Sequence, residues 1–418
     1  MIKRFSLYGF LKNQRYFEPF IILFFLQSGL SFTQIGFLVA FRELIINLME
    51  IPSGAVADLF GRRRSMMVSF ASYIISFTIF GFSGVYWHFF IAMSFFSIGE
   101  AFRTGTHKAM IFTWLRIENR ADDKTQVYGY TRSWSKIGSV VSTVLAVAMV
   151  FLTNNYSYVF LFTIIPYVAG FINLLYYPNE LEGQPESESG VRDVCTHLWG
   201  CLRSSLMIKR LRRLIVESMS FEGVYKAAES YLQPVVKNMA LLIPLFIGLT
   251  DIRRSSIMIG VIYVILYLGS AYASRNSHRL ANFAGGEQGG SILLWKVVFI
   301  LYLALIPLLF FKYYYIAVVG FVLLSLIQNF WRPMLISRFD DFASEKQGAT
   351  ILSIESQAKS VSTMLLAPVM GVAVDYLTGR NLGGEFWPVA TIAAIIALYI
   401  IITAKRHDLS HIEDKHRK

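Results

Sequence analysis

Residues 52–64 read Pro-Ser-Gly-Ala-Val-Ala-Asp-Leu-Phe-Gly-Arg-Arg-Arg, a glycine-containing turn that ends in three arginines. Apolar runs flank this turn on both sides, over residues 33–57 and 66–84. Each run is long enough to cross the hydrocarbon core of a bilayer, which takes about 20 helical residues. Because arginines accumulate in turns on the cytoplasmic side, the segment predicts two membrane spans joined in the cytoplasm.

The rest of the chain repeats this pattern. Of its 418 residues, 55% are hydrophobic and 15% aromatic, and the mean hydropathy is +0.51, which is outside the range of a soluble protein. We therefore predict an all-α membrane protein. Its apolar runs predict twelve transmembrane helices, near residues 5–30, 33–57, 66–84, 87–115, 127–152, 157–178, 213–236, 256–278, 291–310, 312–337, 347–376 and 387–405.

The net charge of +12 does not require a nucleic-acid partner. When Lys and Arg are sorted by loop, twenty-three fall on the side of the two termini and five on the other side. The positive-inside rule then places both termini in the cytoplasm. We expect a multi-pass protein of the bacterial cytoplasmic membrane, in contact with lipid, with no nucleic-acid partner and no cofactor.

A polar stretch interrupts the apolar pattern at residues 179–212 and predicts two six-helix bundles. The N-terminal bundle covers residues 1–178, and the C-terminal bundle covers residues 213–405. The linker between them holds an interfacial helix, and residues 406–418 form a cytoplasmic tail. Cys195 and Cys201 in the linker are six apart and do not converge on a helix, so we expect no metal site.

Short matches relate the two halves. Residues 98–103 in span 4 align with residues 327–332 in span 10, so that Arg103 corresponds to Arg332. Arg132 and Lys136 in span 5 align with Glu355 and Lys359 in span 11. A duplicated six-helix unit would give both pairings, as transporter folds often do.

The turn at residues 52–64 resembles the Gly-x-x-x-Asp-x-x-Gly-Arg/Lys-Arg/Lys loop of the major facilitator superfamily, and it lies between the expected spans. With the span count and the linker, the resemblance covers the whole chain. It implies a conformational latch formed by Gly54, Asp58, Gly61, Arg62 and Arg63, with the aspartate near residues 347–350. A similar run, Gly371 to Asp375 with Gly379-Arg380, is one residue longer and falls on the external side, so we give it no latch role.

The resemblance also implies that helices 1, 4, 7 and 10 line a central cavity, that helices 2, 5, 8 and 11 flank it, and that helices 3, 6, 9 and 12 face lipid. Charged residues follow this division, because spans 3 and 6 have none, span 12 has only Lys405 at its end, and span 9 has only Lys296. Each buried charge costs roughly 3 kcal/mol at the bilayer centre, so these side chains must face protein or water.

Polar stripes at helical spacing give the candidate site residues. For solute binding they are Arg15, Arg103, Arg132, Lys136, Tyr225, Lys226, Asn329, Trp331 and Arg332. For proton coupling they are Glu18, Glu100, Glu222 and Glu229. A structural alternative pairs Arg15 with Glu18, Glu100 with Arg103, Glu222 with Lys226, and Glu355 with Lys359 as ion pairs.

These residues predict a monomeric secondary transporter for a small organic anion or zwitterion, working by alternating access with protons as the candidate coupling ion. A surplus of Arg and Lys favours anionic groups, and no phosphate-binding Gly-x-x-x-x-Gly-Lys-Ser/Thr loop occurs. Two alternatives are an efflux pump for amphipathic drugs and a non-transporting membrane sensor or scaffold. We expect no enzymatic activity.

Overall fold

The computed structural model describes residues 1–104, 106–120, 123–182, 208–340, 348–380 and 383–416. The described residues form α-helices, one short 3-10 helix at Asn179–Glu182 and no strand. The helices are α1 (Ile2–Lys12), α2 (Ile21–Gln27), α3 (Phe32–Phe60), α4 (Arg62–Phe82), α5 (Tyr86–Arg103), α6 (Thr106–Ile117), α7 (Lys124–Thr153), α8 (Tyr158–Leu175), α9 (Lys209–Glu229), α10 (Leu232–Leu242), α11 (Asp251–Phe283), α12 (Glu287–Phe310), α13 (Tyr314–Asp340), α14 (Gly348–Thr378) and α15 (Trp387–His416).

Eight of these helices are long and apolar enough to cross a membrane: α3, α4, α7, α8 and α11 to α14. The chain is therefore a multi-pass membrane protein. The apolar part of α15 is shorter, at Trp387–Thr403. Predicted spans 1, 4 and 7 each coincide with two shorter helices, namely α1 with α2, α5 with α6, and α9 with α10. The number twelve stays a prediction.

Non-helical residues between α1 and α2 interrupt predicted span 1. Pro19 lies in this break and has no N–H to continue a helix. The carbonyls freed at the end of α1 still find donors, as they must at membrane depth. The Asn13 amide donates to the Gly9 carbonyl at 2.7 Å, and the Tyr167 hydroxyl donates to the Lys12 carbonyl at 3.0 Å.

Predicted span 7 is interrupted at Ser230 and Tyr231, between α9 and α10. Pro234 follows four residues after Ser230, and a proline ring clashes with the carbonyl four residues earlier in a continuous helix. The break is therefore encoded locally by proline.

The chain folds as two compact units. Unit 1 contains Met1–Leu30, Phe41–Leu198 and Pro244–Tyr267, and unit 2 contains Ser31–Ala40, Trp199–Ile243 and Leu268–Lys418. Helices α3 and α11 thus each supply residues to both units. The predicted division of the sequence at the 179–212 linker stays a prediction, and residues 183–207, including both cysteines, lie outside the described ranges.

Glycine allows α1 and α7 to approach closely in unit 1. A Cβ atom on Gly138 would lie 2.7 Å from the Phe10 carbonyl oxygen, and one on Gly9 would lie 2.7 Å from Ser135 Oγ. Small residues serve this purpose in membrane helices, where close packing replaces the hydrophobic driving force. The contact holds the polar faces of α1 and α7 beside each other.

Unit 2 has a similar contact between α9 and α14, where a Cβ on Gly223 would lie 2.3 Å from Ser362 Oγ. In the same unit, α14 holds the start of α3. The Asp375 carboxylate accepts the backbone N–H groups of Phe32 at 3.1 Å and Thr33 at 2.7 Å. Asp375, the last residue of the run from Gly371 that resembles the latch motif, therefore caps a helix N-terminus here.

Candidate functional site

Glu100 is held by two arginines in unit 1. Arg15 lies in the break between α1 and α2, Arg103 is the last residue of α5, and each directs its Nη2 to Glu100. All three side chains are less than one-fifth exposed. The Arg103 Nε also donates to the Tyr73 hydroxyl at 3.2 Å. We call Arg15, Glu100 and Arg103 the Glu100 cluster.

The cluster differs from the structural pairing that the sequence suggested. Glu100 and Arg103 are paired as expected at one helical turn, but Arg15 binds Glu100, which is eighty-five positions away. The break in span 1 places the Arg15 side chain beside α5. The two arginines are thereby committed to a protein carboxylate.

A cavity of about 340 Å³ lies inside unit 1, lined by α1, by α5 and α6, and by α7. Five basic side chains line it, namely Lys12, Arg103, Lys108, Arg132 and Lys136. Among its lining residues, all from the described part of the chain, there is no Asp or Glu. The hydroxyls of Thr131, Ser135 and Ser139 add polar groups on α7. We call this space the basic cavity.

Aromatic rings form one wall of the basic cavity. Tyr8 and His107 stack with centroids 3.7 Å apart and an interplanar angle of 19°. The Lys108 ammonium lies 5.5 Å from the Phe112 ring centroid and 5.6 Å from that of Tyr128. A flat stacked wall can position a small organic ligand while the cations hold its charge.

Twelve of the fifteen residues that line the cavity are not among those that the sequence predicts for binding, and they include Lys12, Tyr8 and His107. Their helical spacing in the sequence already indicated that they share a face with other polar residues. Tyr8 and Lys12 are four residues apart and share a face of α1, and His107 extends the polar stripe that begins at Glu100. Of the predicted binding residues, Arg103, Arg132 and Lys136 line the cavity.

Unit 2 contains a second charge cluster around Arg332. The Arg332 guanidinium binds Glu355 with two bonds of 2.5 and 3.0 Å, and Glu222 lies 3.7 Å from the same Nη1. Ser218 donates to Glu355 at 2.5 Å. The Gln328 amide donates to Glu222 at 3.0 Å. We call Glu222, Arg332 and Glu355 the Arg332 cluster.

This cluster adds a distant partner to the local pairing of Glu355 with Lys359 that the sequence suggested. Glu355 forms its close ion pair with Arg332. Lys359 interacts with both Glu355 and Glu222 at longer range. Lys226 is part of the same electrostatic group through Lys359. The predicted residues of α9, α13 and α14 are thus brought together.

Other predicted binding residues of unit 2 make internal contacts. The Asn329 amide donates to Ser270 Oγ at 3.1 Å and to the Ser325 carbonyl at 2.9 Å. Tyr225 lies beside Ser325 and Glu229. Trp331 is completely buried and stacks on Phe221 with centroids 4.1 Å apart, so we leave it out of the proposed binding site.

A buried network that the sequence did not reveal surrounds Glu217. Arg338 binds it through Nη1 at 2.8 Å and Nη2 at 3.0 Å. Ser291 donates to it at 2.5 Å and the Trp295 indole at 3.2 Å. Glu217 is 4% exposed, so these partners compensate its desolvation. We assign the network to the stability of unit 2.

The predicted latch lies partly outside what the structure describes. For Gly54 and Asp58 only the helical backbone of α3 is described. Gly61 adopts φ +99°, which favours glycine. The Arg62 guanidinium donates to Thr113 Oγ1 at 3.0 Å, and that of Arg63 donates to Asn179 Oδ1 at 2.7 Å.

Comparisons with known proteins agree with this architecture. The family model of the Major Facilitator Superfamily matches residues 13–367. No functionally curated protein matches the sequence significantly. Among solved structures, the nucleoside transporter NupG superposes with a TM-score of 0.76 at 14% identity, covering 96% of this chain and 97% of that one.

Two further solved structures of similar fold are transporters that bind other solutes. A D-xylose-proton symporter gives a TM-score of 0.67 at 13% identity, covering 96% of both chains. A POT family transporter in complex with 5-aminolevulinic acid gives 0.71 at 13% identity, covering 96% of this chain and 95% of that one. At this level of identity the likeness shows the fold alone.

Proposed function

Because the chain belongs to the Major Facilitator Superfamily, and is thus a membrane transporter and not an enzyme, we propose that it moves a small organic anion or zwitterion by alternating access. Both termini lie in the bacterial cytoplasm in this proposal, and the protein works as a monomer. The observation that carries the proposal is the basic cavity, where five cations and no carboxylate line about 340 Å³.

The size of the cavity supports a small solute. Ligand pockets usually measure about 300–1,000 Å³, and this one is near the lower limit. Cations in a cavity with few competing acids raise the local concentration of anions and lower that of cations. A pump for cationic amphipathic drugs would need acidic or mainly apolar lining, so the lining favours the anion.

We place proton coupling in the Arg332 cluster. Its two carboxylates share one guanidinium, and Glu355 makes the two close bonds, while Glu222 is farther away at 3.7 Å. A proton carried by Glu222 would leave Arg332 and Glu355 as a neutral pair. Glu100, in contrast, is shared by two arginines and serves as a structural anion. Glu18 and Glu229 remain secondary candidates.

Transport can be tested in liposomes that contain the purified full-length chain and an internal pH dye. A defined mixture of organic anions, zwitterions and cationic drugs is supplied outside, and the contents are identified by mass spectrometry. We expect entry of at least one anion or zwitterion, with internal acidification when the external side is more acidic. Uptake no different from that of empty liposomes for these solutes, or uptake of cationic drugs alone, would contradict the proposal.

A further inference from the structure

The basic cavity holds more positive charge than one singly charged solute can neutralise. Arg103 is bound to Glu100, and the Lys108 ammonium lies over two rings. Lys12, Arg132 and Lys136 remain, and none of them has a carboxylate oxygen within 4.0 Å among the residues that the structure describes.

Two of these cations lie on one helix face. Arg132 and Lys136 are one turn apart on α7 and both are exposed to the cavity side of unit 1. Like charges at this spacing repel each other. Lys12 approaches from α1, which the Gly9 and Gly138 contacts hold against α7. A bound anion would reduce the electrostatic repulsion among Lys12, Arg132 and Lys136.

The number of cations without a carboxylate oxygen within 4.0 Å, counted over the described residues, sets the preferred charge of the ligand. A monoanion would leave two of the three unbalanced, whereas a ligand of charge −2 or more contacts several of them at once. Lysine ammonium groups act as point charges that suit phosphate, and arginine suits planar carboxylate or phosphate. Hydroxyls of Thr131, Ser135 and Ser139 are placed to contact the oxygens of such a group.

We propose that the transported solute is a compact polyanion of charge −2 or more, such as a phosphate monoester or a dicarboxylate, bound by Lys12, Arg132 and Lys136 of unit 1. This inference rests on the proposed function and narrows it, because a zwitterion would need an acidic partner that the lining of the cavity does not provide. The Tyr8 and His107 stack limits the size of the organic part.

Ligand-dependent thermal unfolding of the purified full-length protein tests the charge preference. Sulfate, succinate and glycerol 3-phosphate are compared at equal ionic strength with nitrate, butyrate and glycerol. We expect the doubly charged ligands to stabilise the protein with at least a ten-fold lower half-saturating concentration than the monoanions. Equal stabilisation by both classes, or none by either, would overturn the inference.

Variants locate the effect. Arg132→Gln with Lys136→Gln should abolish the preference for doubly charged ligands, while Arg132→Lys should keep it and Lys296→Gln, on the opposite unit, should leave it unchanged. Size-exclusion profiles of all variants establish that they are folded. A preference that persists in the double variant would place the polyanion elsewhere and refute the assignment.

The failures of the two proposals are distinguishable. If liposomes take up butyrate or a zwitterion but not succinate or glycerol 3-phosphate, the polyanion inference is wrong and the proposed transport function stands. If no anion or zwitterion enters while cationic drugs do, the proposed function itself fails.

Discussion

The Glu100 cluster and the Arg332 cluster use the same residue types in opposite ratios. In unit 1, one carboxylate is shared by two arginines. In unit 2, one arginine is shared by two carboxylates. Arg103 and Arg332 correspond in the alignment of residues 98–103 with 327–332, and the two arginines have different partners.

The surroundings amplify this difference. The first cluster and the basic cavity together contain six cations and one carboxylate, namely Lys12, Arg15, Arg103, Lys108, Arg132 and Lys136 with Glu100. The Arg332 cluster and the two lysines that interact with it contain three cations and two carboxylates, namely Lys226, Arg332 and Lys359 with Glu222 and Glu355. Under the proposed function, unit 1 recognises the charge of the solute and unit 2 carries a proton.

The largest effect is expected for Glu100→Gln. This change leaves Arg15 and Arg103, each less than one-fifth exposed, without the carboxylate between them. Removing one partner of a buried ion pair costs about 3–5 kcal/mol. Thermal unfolding in detergent should show a marked loss of stability. An unchanged unfolding midpoint would mean that Glu100 is not the structural anion of unit 1.

A smaller effect is expected where glycine brings α1 and α7 together. Gly138→Ala would place a Cβ only 2.7 Å from the Phe10 carbonyl oxygen, and overpacking of this kind costs about 1–3 kcal/mol. The basic cavity should lose ligand-induced stabilisation as well. Thermal unfolding with and without sulfate measures both.

Gly129→Ala provides the matched control on α7, since no atom lies within 4 Å of its added Cβ, and the change should stabilise by about 0.5–1 kcal/mol. The equivalent contact of unit 2 should behave differently. There Gly223 meets the Ser362 side chain, so Ser362→Gly should rescue Gly223→Ala. Equal loss of stability in both glycine variants of α7 would rule out the close-approach explanation.

The smallest change in stability is expected for Glu222→Gln. Glu355 keeps its two bonds to Arg332, and the glutamine oxygen can still accept from Gln328, so the cost should stay below about 1 kcal/mol. Transport should nevertheless change, with proton-driven accumulation lost and exchange of labelled for unlabelled solute retained. Accumulation that survives with its pH dependence intact would argue against Glu222 as the proton carrier.

Local sequence patterns predicted the helices better than the contacts between them. The apolar run at 66–84 corresponds to α4, and Arg103 and His107 of the polar stripe line the basic cavity. The breaks in spans 1 and 7 were missed, although Pro19 and Pro234 mark them, because apolar residues on both sides of each break keep the average hydropathy of the segment high. Hydropathy averages over such breaks.

Ion pairs between distant helices could not be derived from the sequence. Spacing suggested partners three or four residues apart, whereas Arg15 binds Glu100 and Arg338 binds Glu217. Helix α13 extends to Asp340, and the Arg338 side chain near its end is only 14% exposed. Such pairs depend on helix packing, which fixes distance and direction together.

The most direct test of the account compares uptake by the wild-type chain, Lys12→Gln and Lys296→Gln in liposomes supplied with an equimolar mixture of labelled anions, zwitterions and cations. Lys12 lines the basic cavity and Lys296 does not. We predict that the wild type and Lys296→Gln import the same anion and that Lys12→Gln imports it at least ten-fold more slowly. Uptake of a cation, or equal anion uptake by all three proteins, would contradict the central claim that unit 1 recognises the solute through its surplus of basic residues.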